Sequence, residues 1–301
     1  MSINPLEGIE RPMLACVCED ITLLRYPVYA QDKEDGIRCF MKGDVGLSRT
    51  FKPIPNRHIQ ETLREAMLPD GLDGELITID VWGKEDKYND VQSKVMSYTG
   101  KPSFIYRVFD LANNQYGFHT RRMALRSYLM NHPVRMWLEY INEVVCNDVK
   151  DLEAYERATV DKGKEGVIIR SYQGRYKSGR STLNEGYLLK LKRFIDDEAI
   201  IMGYEELQHN CNEQEADNFG LSKRSSHLSN MEPGNTLGAL VVKCSSFTDF
   251  FNIGSGFTQY QRQDIWDNKL KYLGAKVTFK YQKHGMKDKP RCPIFKGFRY
   301  D

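Results

Sequence analysis

The stretch QDKEDGIR, residues 31–38, sets Lys33 among carboxylates, follows them at once with Gly36, and ends on Arg38. RYPVYAQDK (25–33) before it is rich in β-formers, as is IRCFMKG (37–43) after it. Both read as strands, with Glu34-Asp35-Gly36 as the turn between them. Lys33 then stands at a strand end with Arg38 close by, a place for chemistry rather than for packing. A solvated surface turn is the ordinary alternative, and the stretch alone leaves it open. A lysine nucleophile must lose its proton, and a free lysine, with a pKa of ~10.4, is almost wholly ammonium at neutral pH. Neighbouring carboxylates raise that value. The sharper reading therefore requires other cations near the amine, brought in from elsewhere in the chain.

Outward from this stretch, GELITIDVWG (74–83), SFIYRVFDLA (103–112), EGVIIRSY (165–172) and GYLLKLKRF (186–194) read as strands. NRHIQETLREAML (56–68) reads as a helix capped by Asn56, and DVKDLEAYERATVDKG (148–163) as one capped by Asp148 and stopped by Gly163. RRMALRSYLMNHPVRMWLEYINEVV (121–145) is helical in pattern, interrupted by Pro133. The fold class is α+β with much antiparallel sheet. In GYLLKLKRF the period of two sends Lys190 and Lys192 to one face and Leu189 and Leu191 to the other. An exposed sheet face is the plain alternative for that pair.

A chain of 301 residues is long enough for two domains. With 41% hydrophobic and 28% charged residues, and no apolar run near the ~20 residues of a membrane span, it reads as soluble and intracellular, with no membrane role. The N-terminus, MSINPLEGIERP, lacks the shape of a signal peptide. The 7 cysteines form no CxxC pair and read as reduced thiols, and the 6 histidines lack metal-ligand spacing. The net charge of +2 is unevenly spread: residues 221–301 hold 14 Lys/Arg against 6 Asp/Glu, a net of +8, so the rest is acidic. Residues 162–193 are denser still, with nine Lys/Arg against Glu165 and Glu185. Such density fits either a solvated face or a polyanion site.

The motifs stand in a definite order: KEDGIR (33–38), LSRTFKPI (47–54), LDGEL (72–76), VFDL (108–111), EGVIIR (165–170), KSGRSTLNEG (177–186), LLKLK (188–192) and PRCPIFKGFRYD (290–301). This order and spacing resembles the covalent nucleotidyltransferases, the superfamily of ATP-dependent DNA ligases, RNA ligases and mRNA capping enzymes. LSRTFKPI, GRSTLNEG, FGLSKRSSH (219–227), FNIGSGF (251–257) and DIWDNK (264–269) look like the minimal, virus-type ATP-dependent DNA ligases in particular. The resemblance runs over nearly the whole chain. It implies an adenylyltransferase domain over residues 1–193, built of antiparallel sheets and helices, and a β-barrel OB-fold domain over 194–301.

The resemblance also implies roles. Lys33 would attack the α-phosphate of ATP to form a lysyl-AMP, and AMP would pass to the 5′-phosphate of a nick before the 3′-OH displaces it. Lys190 and Lys192 would be the cations that depress the lysine pKa and neutralise the phosphate. Glu75 and Arg38 would hold the ribose hydroxyls, Phe109 would stack on the adenine, and Gln31 would read its edge. Glu165 would bind the ribose or a divalent metal, Mg²⁺ or Mn²⁺. Ser48, Arg49 and Arg180 would grip the 5′-phosphate, where a guanidinium fork suits a phosphate monoester. In the family's terminal motif Arg299 and Asp301, with Arg291, would orient the pyrophosphate. FRYD lacks the basic residue that ends that pattern, and slower self-adenylylation is the expectation.

EELQHNCNEQEAD (205–217) is acidic and polar with almost no apolar content and reads by composition as a disordered insertion. In the virus-type ligases similar residues form a latch, here at about 205–235, that would order on DNA, with Lys223 and Arg224 on its phosphates. TQYQRQDIWDNKLKYLG (258–274) reads as a structural helix with a Thr258–Gln261 capping box and Gly274 as its stop. The implied partner is nicked duplex DNA, engaged by a monomer that closes around it without an obligatory protein partner. An RNA ligase, a GTP-using capping enzyme and a catalytically silent nick-binding protein stay open as alternatives. An NAD-dependent ligase would need zinc cysteines, and the spacing here provides none.

Overall fold

The computed structural model describes residues 6–132, 135–216, 222–225, 227–282, 286 and 288–299. The chain divides into two compact units, Met1–Lys192 and Arg193–Asp301. The first carries two five-stranded sheets. One has the order Val45–Leu47, Ile37–Lys42, Leu72–Thr78, Phe104–Leu111, Leu138–Tyr140, antiparallel except for its last pair. The other has the order Cys16–Val17, Leu188–Leu191, Val167–Ser171, Val28–Asp32, Glu143–Cys146, antiparallel except for its first pair.

The two strands flanking residues 33–36 therefore belong to different sheets, and the hairpin expected from the sequence is instead a crossover. Lys33 continues the ladder of the strand it leaves, its N–H donating to the Gly166 carbonyl at 2.9 Å. Ile37 and Arg38 already pair with Leu76 and Glu75 of the other sheet. At the crossing the chain passes so near its new neighbour that a Cβ on Gly36 would lie 2.3 Å from the Leu76 carbonyl oxygen. Glycine is required there by space, not by a turn conformation.

Each sheet packs on its own core. Helices Arg57–Glu65, Tyr88–Val95 and Phe118–Met130 send Leu63, Val91 and Leu125 against Met41, Leu72 and Tyr106. Helix Val149–Asp161 sends Leu152 against Val28, Val167 and Leu189. A third cluster joins Phe40 of one sheet to Leu188 of the other through Met13 and Tyr176. The caps act as read: the Asn56 side chain accepts from the Ile59 N–H, Asp148 accepts from Asp151, and Gly163 leaves its helix with φ of 76°. The long helical pattern over 121–145 is corrected. The helix ends at Met130, and strands Leu138–Tyr140 and Glu143–Cys146 follow; Pro133 lies outside the described residues. Val144 and Val145, paired with Ala30 and Tyr29, gain an edge position in a sheet that a helix would forgo.

The second unit is one antiparallel sheet in the order Phe251–Ile253, Met231–Lys243, Ile195–Asn210, Lys276–Gln282, Arg291–Arg299. Among the described residues its two edges meet only through an isolated bridge from Ser255, just past Phe251–Ile253, to Ile294, and the ladder does not close into the expected barrel. Helix Gln259–Asp267 carries the expected Thr258–Gln261 capping box. The disorder read from composition is also corrected in part. Residues 205–210 complete the long strand, pairing up to Asn210 with Met231, and Gln214–Ala216 forms a hairpin with Ser222–Arg224. A strand ladder satisfies backbone groups whatever the side chains are, which composition alone does not register. Among the described residues no helix is long and apolar enough to cross a membrane.

Replacing Gly36 by alanine forces the crossover and Leu72–Thr78 apart, an overpacking cost of ~1–3 kcal/mol. Thermal unfolding of Gly36→Ala should show a clearly lowered midpoint; an unchanged midpoint would mean that the crossing has slack.

Candidate adenylate site

A solvent-open cavity with ≈ 830 Å³ of empty space lies in the first unit, at the crossover. Its walls include Gln31, Lys33, Arg38, Arg49, Glu75, Phe109, Arg170, Arg180 and Lys190. These residues come from both five-stranded sheets, from the crossover, from the loop around Arg49 and, for Arg180, from a short strand Gly179–Arg180 paired with Met13–Leu14. Cations outnumber carboxylates on the lining, as a polyphosphate requires.

Lys33 directly follows the strand Val28–Asp32, and its amine makes an ion pair with Glu165, just before the neighbouring strand Val167–Ser171. Lys192 pairs with the same carboxylate from the other side. Burial would push Glu165 up, but the two lysines hold its carboxyl below the usual carboxylate range. The Lys33 amine also donates to the Glu34 carbonyl at 3.0 Å. Gly166, next to Glu165, lets the chain run against Leu191, whose carbonyl oxygen a Cβ would meet at 2.2 Å.

Lys190 and Lys192, expected to act together, are placed differently: Lys190 lines the cavity and Lys192 pairs with Glu165. Lys192 neutralises Glu165. Burial first, then the charges of Lys192, Arg180, Lys33 and Arg49, push the Lys190 ammonium below the usual lysine range. Lys33 itself rests on the Glu165 carboxylate.

Arg38 is placed at the cavity but is already engaged. Its Nε and Nη2 each donate to Asp73 at 2.6 Å, and the Tyr176 hydroxyl donates to the same carboxylate at 2.6 Å. Its guanidinium carbon lies 4.6 Å from the Phe109 ring centroid. Gln31 is also engaged: its Oε1 accepts from Arg170 Nε at 3.1 Å and its Nε2 donates to the Ile141 carbonyl at 3.5 Å. Arg170 donates to Asp110 at 2.7 Å, and Arg121 donates to both oxygens of Asp110, at 2.8 and 3.0 Å. Asp110 is fully buried, and this Arg–Asp–Arg group sits behind Phe109 and Gln31. Sequence reasoning missed Asp73, Asp110, Arg121, Arg170 and Tyr176. Asp73 and Asp110 do stand inside LDGEL and VFDL, and a carboxylate in a strand this apolar needs a buried partner.

Arg49 and Arg180 are exposed at the cavity; Arg180 Nη1 donates to the Ala15 carbonyl at 2.7 Å, while Ser48 faces Thr50 at 3.4 Å. The remaining predicted residues belong to the second unit. Arg299 makes an ion pair with Glu198 at 2.6 Å, and Arg291 lies opposite Gln282 in the sheet. Arg224 Nη1 donates to the Asn210 and Asn212 carbonyls at 3.2 and 3.1 Å. Asp301 and the Lys223 side chain lie outside the described residues. Among the described residues no group of three or more His, Cys, Asp or Glu is arranged to hold a metal.

Comparison with known proteins gives two family matches: the ATP dependent DNA ligase domain over residues 12–192 and the DNA ligase OB-like domain over residues 231–299. The chain is similar to the Chlorella virus DNA ligase-adenylate structure, with 36% identity over 97% of this chain and 99% of that one and a TM-score of 0.56. It shares a fold with a Lig E DNA ligase at 22% identity, over 97% of this chain and 100% of that one, with a TM-score of 0.69. It shares one also with the bacteriophage T7 ATP-dependent DNA ligase at 14% identity, over 96% and 99%, with a TM-score of 0.51. No curated protein sequence matches.

Burial, against the opposing pull of Arg38 and Lys33, raises the Glu75 carboxyl from its ordinary 4.5 to about 7. Between those values the folded chain binds more protons here than the unfolded one. This contribution to stability is therefore full below about 4.5 and is lost as pH rises through about 7. Glu75→Gln should unfold at a higher temperature than the parent at pH 8 and at nearly the same temperature at pH 5. Parallel shifts at both pH values would assign the effect to packing instead.

Proposed function

Since this chain belongs to the ATP-dependent DNA ligases, which seal nicks through covalent adenylylation, we propose that Lys33 is the residue that carries the AMP. The chain is a DNA ligase and uses ATP. The observation that carries the assignment is the convergence of Lys33, Glu75, Phe109, Lys190, Arg49 and Arg180 on one cavity.

In the first step the Lys33 amine forms a bond to the α-phosphorus of ATP as the bond to the pyrophosphate oxygen breaks. Before that, the amine must leave Glu165 and lose its proton to solvent or to a phosphate oxygen. Lys190 and Lys192 then face the charge that grows on the phosphate, in a site where burial strengthens their effect. Phe109 offers its ring to the adenine, and Glu75 receives the ribose hydroxyls. Arg38 acts from a fixed place, since Asp73 leaves its guanidinium no freedom to swing. Gln31, held by Arg170, meets the base with a set orientation.

Glu165 fits one further part. Mg²⁺ takes one or two carboxylates and completes its shell with phosphate oxygens and water. A single buried carboxylate at the edge of a polyphosphate cavity, already balancing two positive charges, is suited to hold Mg²⁺ or Mn²⁺ when ATP is bound. The ion would supply added neutralisation of the phosphates.

In the later steps Arg49, Ser48 and Arg180 grip the 5′-phosphate of nicked duplex DNA. Arg49 and Arg180 are exposed, as a DNA contact must be. In the second unit, Arg224 and Lys223 would meet DNA phosphates. Arg299, once released from Glu198, would orient the pyrophosphate together with Arg291 and Asp301. The residues that line the nucleotide cavity all come from one chain, which supports action as a monomer without an obligatory protein partner.

Intact mass after incubation with Mg²⁺ and ATP should rise by one AMP, and the gain should disappear as a nicked duplex is sealed. Lys33→Ala should show no gain; an adduct on that variant would locate the nucleophile elsewhere. Arg180→Ala should self-adenylylate within a few-fold of the parent yet seal nicks ~10–100-fold more slowly, the loss of one charge-assisted bond of ~1.5–3 kcal/mol. An equal loss in both steps would place Arg180 at the nucleotide.

A further inference from the structure

A second set of charges surrounds Lys33 and is used by none of the steps above. The dipeptide Lys33-Glu34 faces the dipeptide Lys164-Glu165 where Val28–Asp32 pairs with Val167–Ser171, and the charges are crossed. Lys33 pairs with Glu165, and Glu34 pairs with Lys164 at 3.1 Å. Glu34 also receives Arg107 Nη1 at 3.1 Å. The other nitrogens of Arg107 hold Glu85 at 2.7 Å and Glu139 at 2.9 Å, so Glu34 is tied to the opposite sheet. The Glu34 side chain is only 8% exposed and that of Arg107 15%, which shields the pair from the screening that weakens surface bridges.

The nucleophile must break the Lys33–Glu165 pair in order to react. One side-chain link between the two segments is then gone at the moment when placement matters most, because an ångström of error costs ~100-fold in rate. What remains is the Lys33–Gly166 backbone bond and the Glu34–Lys164 pair. We propose that Glu34, Lys164 and Arg107 are positioning residues of the adenylylation step. They hold the crossover against the segment that bears Lys164 and Glu165, so that the released Lys33 amine stays at the α-phosphate. The assignment rests on the reading of Lys33 as nucleophile. Lys33 has no bond to make or break once AMP is on the DNA, so the network matters for the first step and not for the last.

The test uses the full chain with ATP and Mg²⁺, following AMP uptake by intact mass in single turnover, and separately the sealing of a nick that already carries AMP on its 5′-phosphate. Glu34→Gln and Lys164→Gln should each slow AMP uptake ~10–100-fold through the rate constant, with the apparent KM for ATP changed less than ~3-fold. Sealing of the pre-adenylylated nick should stay within ~3-fold, the double variant should be no slower than the worse single one, and Lys164→Arg should behave like the parent. A parallel loss in both reactions, an effect confined to KM, or no effect would overturn the assignment. Lys33→Ala run alongside separates the two readings. AMP uptake by that variant overturns the nucleophile itself, whereas its absence beside an unaffected Glu34→Gln overturns only the network.

Discussion

The structure of the first unit turns on the passage of the chain from one sheet to the other between Asp32 and Ile37. Two ladders compete for these few residues: Lys33 still bonds Gly166 of one sheet, and Ile37 already pairs with Leu76 of the other. No side chain fits at Gly36, so the sheets approach closely there and a cavity opens beside the seam. Lys33 is thereby set on one sheet while facing Glu75 and Phe109 of the other. A hairpin would have put both strands in one sheet and left the lysine in solvent.

Around that seam the charges are arranged by how far each is buried. Asp73 and Asp110, fully buried, are matched by Arg38 and by Arg121 with Arg170. Such pairs are demanded by the cost of a lone buried charge, and breaking one costs ~3–5 kcal/mol. Through Arg38 and Arg170, which do line the cavity, Asp73 and Asp110 anchor the wall around Phe109 and Gln31. Beside the crossover one buried carboxylate is shared. Glu165 serves two lysines, and Lys190 is held among cations with burial against it. A carboxylate shared in this way leaves Glu165 a second partner when Lys33 departs, which suits the role proposed for Lys33.

The second unit follows a different logic. Its strand Ile195–Asn210 carries an acidic, polar end that no hydrophobic pattern would select, yet it pairs along its length with Met231–Lys243. The apolar contribution comes from the other end, where Ala199 and Ile201 meet Leu240, Val277 and Phe279. Backbone pairing then carries the ladder outward past the core.

Read by itself, the sequence determined the kind of most elements and half of the residues that line the cavity. Period-two strands, the Asn56 and Asp148 caps and the Thr258–Gln261 box depend on neighbours a few positions away, and local rules see them. Lys33, Glu75, Phe109, Lys190, Arg49 and Arg180 were legible because their motifs stand in order along the chain. The tertiary structure alone decided which sheet each strand joins, and so made a crossover of a stretch that reads locally as a hairpin. It also decided which charge meets which: Lys33 with Glu165, 132 positions away, and Arg38 with Asp73, 35 away. Alternation states which face a side chain takes but not what lies opposite, and the open curl of the second sheet depends likewise on strands far apart in the chain.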